Sequence, residues 1–204
     1  YMECLVKAKQ LTQTREKAAR TVEKELKQRL VPLGIPNVRF EVSMEEKPLS
    51  ADGADKLQFM FSANKNSLLQ PISQIASGGE IARVMLAVKV VTAGKAGAAQ
   101  QALTLVFDEI DANIGGEVGK VVGEKMRAVA KGRQVIAITH LPQSAVCGER
   151  HLVVSKAVAG GRTKTRISEV DGEDRVAEIA RMLGGEKLTS VVKRHAEELL
   201  QLSR

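Results

Sequence analysis

Residues 103–139 run strand, helix, strand, and this order constrains the fold more than any other feature of the chain. Leu103-Thr-Leu-Val-Phe107 is a short apolar run that ends in Asp108-Glu109. A helical stretch over residues 116–131 follows, and then a second apolar run, 134–139, that ends in His140. Strands alternating with helices predict a parallel core sheet with crossover helices, an α/β fold. Composition agrees: 44% of residues are hydrophobic and 27% charged, but there are only four Phe, one Tyr and no Trp. The core must then come from aliphatic side chains and Met, which suits helices packed on a sheet. Cys4 and Cys147 show no Cys-x-x-Cys or Cys/His spacing, so neither a disulfide framework nor a zinc site is expected. No apolar run is long enough to span a membrane, and no signal-peptide pattern is present.

The rest of the chain is organised around that core. Residues 2–31 hold no Gly or Pro and have high helix propensity. Ala18, Ala19, Val22, Leu26 and Leu30 share one face, while the first half is polar almost all round. This predicts a helix that packs at its C-terminal end and projects at its N-terminal end, either a solvated surface helix or the end of a coiled-coil arm. Because the chain begins on Tyr1 inside this run, it is expected to be a piece of a longer polypeptide. Pro32, Gly34 and Pro36 end the helix and divide an arm segment, 1–31, from a globular part, 32–204. Val38, Phe40, Val42 and Met44 alternate with polar residues, as do Leu57, Phe59 and Phe61, predicting an antiparallel pair joined by a long loop. A polar loop then leads to a helix carrying Ile81, Val84, Met85, Val88 and Val91. After a small-residue linker, 94–101, and the core unit, residues 151–156 and 163–170 read as a hairpin. Helices over 173–183 and 188–202 close the chain.

Three places could carry chemistry. Asp108 and Glu109 end a strand at the sheet edge where α/β proteins bind ligands. In a nucleotide hydrolase such an Asp holds Mg²⁺, and the next Glu accepts a proton from attacking water. An acidic loop that caps the following helix is the alternative. Ser77-Gly78-Gly79-Glu80 opens a helix, where two glycines let backbone N–H groups approach an anion; a plain serine N-cap would look the same. His140 leaves a buried strand where it could meet a phosphate or a water, although a structural histidine also fits. Ser77, Asp108 and His140 follow one another at spacings of 31 and 32 residues, and that fixed order gives the three signals joint weight.

Ser77-Gly78-Gly79-Glu80 resembles the signature motif of ABC-type ATPases, and Leu105-Val-Phe-Asp108-Glu109 their Walker B strand. Asp111 resembles the D-loop aspartate and Ile138-Thr139-His140 the H-loop. Residues 75–89, Val106 to Asp111 with Ile114-Gly-Gly116, and Thr139-His-Leu-Pro-Gln143 resemble one branch, the RecN family of SMC-like ATPases of bacterial DNA double-strand-break repair. Two positions depart: Ala76 stands where many ABC signatures have Leu, and Asn113 where Gly is common.

The resemblance covers nearly the whole chain but only the C-terminal half of the family pattern. It implies the C-terminal lobe of an ABC/SMC-type ATPase head, with an antiparallel strand pair and the end of a coiled-coil arm. It implies ATP and Mg²⁺ as cofactors, with Asp108 in the Mg²⁺ shell through water, Glu109 as general base and His140 at the γ-phosphate. Ser77, Gly78, Gly79 and Asp111 would meet ATP held by an opposing head in a homodimer. No GxxxxGK[ST] occurs in the chain, so the P-loop would come from an N-terminal half, and this segment alone is expected to be inactive. DNA, bound at ends or single strands without sequence preference, is the implied partner, and the bacterial cytoplasm at the nucleoid the implied location. The formal charge of +7 agrees with a polyanionic partner. Arg162, Lys164 and Arg166 alternate along one strand and, with Arg150 and Lys156, form the densest positive charge. They read either as a charged edge strand or as contacts to a phosphate backbone. A non-catalytic dimerisation or DNA-binding module, or the head of another SMC-like ATPase, are the alternative functions.

Overall fold

The computed structural model describes residues 1–75, 77–92, 104–159, 162–185 and 189–203. Ala76, the expected linker 94–101 and Leu103 lie outside the described residues. The chain forms two compact units, Tyr1–Leu103 and Thr104–Arg204.

The first unit holds α1 (Met2–Leu30), β1 (Arg39–Ser50), β2 (Gly53–Ser62), β3 (Gln70–Pro71), a 3₁₀ turn (Ile72–Gln74) and α2 (Gly78–Thr92). β1 and β2 pair antiparallel with Phe40 opposite Phe61 and Val42 opposite Phe59. The expected long loop between them is absent. β1 continues to Ser50, and only Ala51 and Asp52 separate the strands. Pro48 cannot donate to a ladder, and it sits where the register shifts, between Glu46 and Ser50. Gly53 takes φ 101°, a left-handed conformation that closes the turn.

This longer hairpin reaches back along α1. Arg15 donates to Asp55 at 2.9 Å and to the Asp52 carbonyl at 2.7 Å, and Thr12 donates to Asp55 at 2.7 Å. Ala8 is buried along with Leu26 and Leu30, so the packed face of α1 extends well beyond its expected C-terminal half. Leu26, Leu30, Leu33, Ile35, Val38, Phe40 and Phe61 are buried in this unit. Within α2 the buried positions are Gly79, Arg83, Val84, Leu86 and Ala87, whereas Met85 is 42% exposed. The expected face of Ile81, Val84, Met85, Val88 and Val91 is therefore rotated. A helix that is apolar nearly all round carries no periodic signal to choose a face.

Asp55 ties hairpin to helix through a charge. Its side chain is only 9% exposed, and the Thr12 hydroxyl, then the Arg15 guanidinium, hold its carboxyl below the usual carboxylate range. A lowered folded-state value contributes stability that is present above the ordinary pKa and lost as pH falls through the lowered one. Urea midpoints should therefore separate the wild type from Asp55→Asn at pH about 7, with the gap closing as pH falls below the ordinary carboxylate range. A gap that stays constant across that range would overturn this account.

The second unit holds β4 (Leu105–Phe107), α3 (Gly116–Val129), β5 (Val135–Ala137), α4 (Pro142–Ala145), β6 (His151–Ala159), β7 (Arg162–Val170), α5 (Gly172–Gly184) and α6 (Ser190–Leu202). β4 and β5 pair parallel, Phe107 opposite Ala137, as the strand–helix–strand order requires. Among the described residues this sheet has two strands, and one face is open: Val106 is 62%, Ile136 43% and Ile138 56% exposed. Phe107, Ile110, Val122, Met126 and Val129 are buried.

α4 lies close against α3. A methyl group on Gly119 would come within 2.7 Å of Leu141, and one on Gly123 within 2.7 Å of the Cys147 sulfur and 3.1 Å of the Ser144 carbonyl. Ser144 Oγ donates to the Gly119 carbonyl at 2.9 Å, closing the contact. A further cluster joins Val146 and Cys147 to Ile179 and Ala180 of α5 and Ala196 of α6. Burial raises the Cys147 thiol above its ordinary pKa, so it acts here as a small apolar side chain.

Candidate nucleotide site and its relatives

Asp108 and Glu109 leave the C-terminal end of β4, and both are exposed. Ile138 N donates to the Phe107 carbonyl at 2.9 Å, so the ladder carries on to the point where the two strands separate. His140 follows at the same edge, its side chain 66% exposed. The parallel pairing thus delivers the strand-end acids and the strand-end histidine to one edge of one sheet.

The turn after β4 is unusual. Glu109 takes φ 51° and Asn113 φ 61°, and among the described residues these are the non-glycine residues with positive φ. Such a conformation at a bulky residue costs on the order of 1–3 kcal/mol and is held only by its surroundings. Here Ile110 and Asp111 supply the hold, each with no solvent exposure. Asn113 keeps the left-handed backbone that the more common glycine would allow, and Asn tolerates it better than most residues.

Asp111 is the centre of this turn. Its Oδ2 accepts from Leu141 N at 3.2 Å and from the Thr139 hydroxyl, while His140 Nδ1 stands 3.1 Å from Oδ1. One buried carboxylate therefore holds Thr139 and Leu141 on either side of His140. Thr139 and Leu141 belong to the Thr139–Gln143 motif read from the sequence, but nothing local marks them as partners of Asp111, which lies 28 or 30 residues away. Gln143 ends the same motif, and a methyl group on Gly116 would come within 2.7 Å of its amide.

In the other unit, Ser77 precedes α2 as its cap. Ile81 N donates to the Ser77 carbonyl at 3.1 Å, and Glu80 N lies 3.4 Å from Ser77 Oγ, a long contact. Gly78 and Gly79 form the first helical turn, Gly78 exposed and Gly79 buried. The serine is half-buried, and its weakly engaged hydroxyl stays at a helix N-terminus where partial positive charge favours an anion. Among the described residues no group of three or more His, Cys, Asp or Glu could hold a metal, so Asp108 would act as a lone carboxylate. Mg²⁺ accepts that arrangement, since it keeps several waters and takes phosphate oxygens for the rest.

The basic residues fall on a two-faced hairpin. Register pairs Ser155 with Arg166, Ala157 with Lys164 and Ala159 with Arg162, so the three cations share one face. Lys156 pairs with Thr165 on the opposite face, beside Leu152, Val154, Val158 and Ile167. Those four apolar side chains are 54–75% exposed. Arg150 makes a bidentate pair with Glu169, whose carboxyl it holds below the usual range. Neither Lys156 nor Arg150 therefore belongs to the basic face that the sequence suggested.

No protein-family model matches the chain. It is 36% identical over 203 residues to the DNA repair protein RecN of Halalkalibacterium halodurans, covering 97% of this chain and 35% of that protein. RecN of Vibrio cholerae is 36% identical over 202 residues, covering 98% of this chain and 36% of the relative. The chain belongs to the RecN family. It spans about a third of the length of these RecN proteins and matches their C-terminal portion. The Smc head domain with a coiled coil and joint from Pyrococcus yayanosii shares the fold at TM-score 0.55 and 21% identity, over 81% of this chain and 29% of that one. RecN membership and a head-type fold agree with the strand-end acids, the signature-like helix start and the strand-exit histidine. No helix among the described residues is long and apolar enough to cross a membrane.

Proposed function

We propose that this RecN segment is the C-terminal half of an SMC-like ATPase head in DNA double-strand-break repair and recombination. The observation that carries the reading is the sheet edge where Asp108, Glu109 and His140 emerge from paired parallel strands, in a chain of RecN type. Asp108 is assigned to the Mg²⁺ shell, Glu109 to general-base work and His140 to the terminal phosphate. Ser77, Gly78 and Gly79 serve as the signature element towards ATP bound to an opposing head, and Asp111 is assigned as the D-loop residue. Bound ATP and Mg²⁺ supply the phosphoryl chemistry; the chain's own residues position water, hold protons and bring two heads together. We assign the P-loop to a part of the protein N-terminal to this segment, and the open apolar face of Val106, Ile136 and Ile138 suits cover by that part. The same reading locates the protein in the bacterial cytoplasm at the nucleoid.

ATP turnover tests it directly. The chain alone should be inactive, and mixing it with the remaining, P-loop-bearing portion of the protein should restore activity. Turnover by the chain alone, or an inactive mixture whose parts associate, would overturn the proposal; the second result would favour a non-catalytic dimerisation or DNA-binding module.

DNA is assigned to the basic hairpin face. Arg162, Lys164 and Arg166 are exposed and sit among Ser155, Ala157 and other uncharged residues. Contacts of this kind are independent of sequence, suit ends and single strands, and release counterions. Replacing all three by Gln should flatten the slope of log affinity against log salt by about 2 to 3. An unchanged slope would leave the face as a charged edge that resists aggregation.

A further inference from the structure

We propose that Asp111 is a positioning residue that fixes the tautomer of His140, so that Nδ1 carries the proton and Nε2 is left as the free acceptor. The argument begins with a buried oxygen. Asp111 has no solvent exposure, and its Oδ1 has no hydrogen-bond partner among the described residues. A carboxylate oxygen shut away from water and donors is costly, so a nearby polar group is expected to donate to it. His140 Nδ1 stands 3.1 Å from that oxygen. The other oxygen, Oδ2, is already taken by Leu141 N at 3.2 Å and by the Thr139 hydroxyl, which also accepts from Leu141 N at 3.1 Å. The carboxylate cannot turn to offer a different atom without breaking those bonds. A ring nitrogen facing an acceptor must bear the hydrogen, and the hydrogen bond at one nitrogen decides what the other presents.

The consequence is chemical. The imidazole is 66% exposed, and Nε2 is the nitrogen that Asp111 leaves for a ligand. In the neutral ring, Nε2 then holds a lone pair. It can accept a hydrogen bond from water or take up a proton, but it cannot donate to a phosphate oxygen. Donation needs the doubly protonated ring. What stands before Nε2 rests on the nucleotide reading above; the tautomer itself does not.

The substitution Asp111→Asn makes the test sharp. Asn has one acceptor and one donor group where Asp has two acceptors. Leu141 N and the Thr139 hydroxyl would keep the amide oxygen on their side, leaving the NH₂ facing His140 Nδ1. That group donates, so the ring must accept at Nδ1 and carry its proton on Nε2. Long-range ¹H–¹⁵N correlation spectra of the labelled chain report which nitrogen is protonated, at pH about 8, above the ordinary imidazole range. The chain has three histidines, and the spectrum of His140→Gln identifies the signals that belong to His140. We expect Nδ1–H in the unaltered chain and a complete exchange to Nε2–H in Asp111→Asn. Nε2–H in the unaltered chain would overturn the proposal, and this single spectrum decides it even if Asp111→Asn fails to fold. Nδ1–H persisting in a folded Asp111→Asn would show that another group orients the ring. No nucleotide is present in the experiment, so failure of the ATPase reading would appear only in turnover and failure of this inference only in the spectra.

Discussion

With Glu109 as the proposed general base, its replacement by Gln in the assembled protein is expected to lower ATP turnover by about two to four orders of magnitude. Gln keeps the length, the exposure and a hydrogen-bonding tip, but it cannot take a proton from water. Nucleotide binding and DNA binding should stay close to those of the unaltered protein, because the substitution leaves the residues assigned to those two tasks in place. The backbone explains why this residue is aimed rather than free. Glu109 sits at φ 51°, between the last strand residue, Phe107, and two fully buried neighbours, Ile110 and Asp111. Strain of that kind persists only when the surroundings over-determine it. Single-turnover hydrolysis measured beside nucleotide binding gives the check. Equal turnover in the two proteins would remove Glu109 from the chemistry and, with it, the main reason for reading this sheet edge as catalytic.

The second large effect is on stability. Ile179→Ala should destabilise the second unit by about 2–5 kcal/mol, the cost of removing buried methyl and methylene groups from a site that cannot collapse. Ile179 has no exposure and packs with Val146, Cys147, Ala180 and Ala196. Its neighbours are mostly small and are held by two helices and the end of α4, so little can move in to fill the gap. The expected loss is large against the ~5–15 kcal/mol that holds a domain together. It also reaches the site, because Val146 and Cys147 directly follow α4, whose first residues continue the His140 loop. Far-UV circular dichroism during urea unfolding is the measurement, since Phe107 is the one aromatic residue in this unit. A change below about 1 kcal/mol would mean that the cluster repacks, contrary to the close approach of α3, α4 and α5 described here.

The contrast between the two helices of the first unit shows what a linear pattern can carry. α1 has a one-sided apolar stripe, and its C-terminal packing at Leu26 and Leu30 was legible from that stripe. Its N-terminal packing was not, because Ala8, Thr12 and Arg15 are engaged by a hairpin whose length depends on Pro48 being tolerated at a register shift. In α2 the apolar residues go nearly all round, and only neighbours could choose Leu86 and Ala87 over Met85 as the buried side.

At the candidate site the same division holds. Strand–helix–strand order, acids at one strand end, a histidine at the other and a glycine-rich helix start are local patterns, written in period and in residue type. They determined the parallel pair, the shared sheet edge and the RecN resemblance. The absence of a P-loop was equally plain, since a motif search needs no structure. Tertiary structure alone decided that Asp111 is buried, bound to Thr139 and Leu141 and 3.1 Å from His140, and that Lys156 stands apart from Arg162, Lys164 and Arg166. The first depends on two strand exits, about thirty residues apart, being brought together by parallel pairing. The second depends on hairpin register, where a shift of one residue exchanges the two faces.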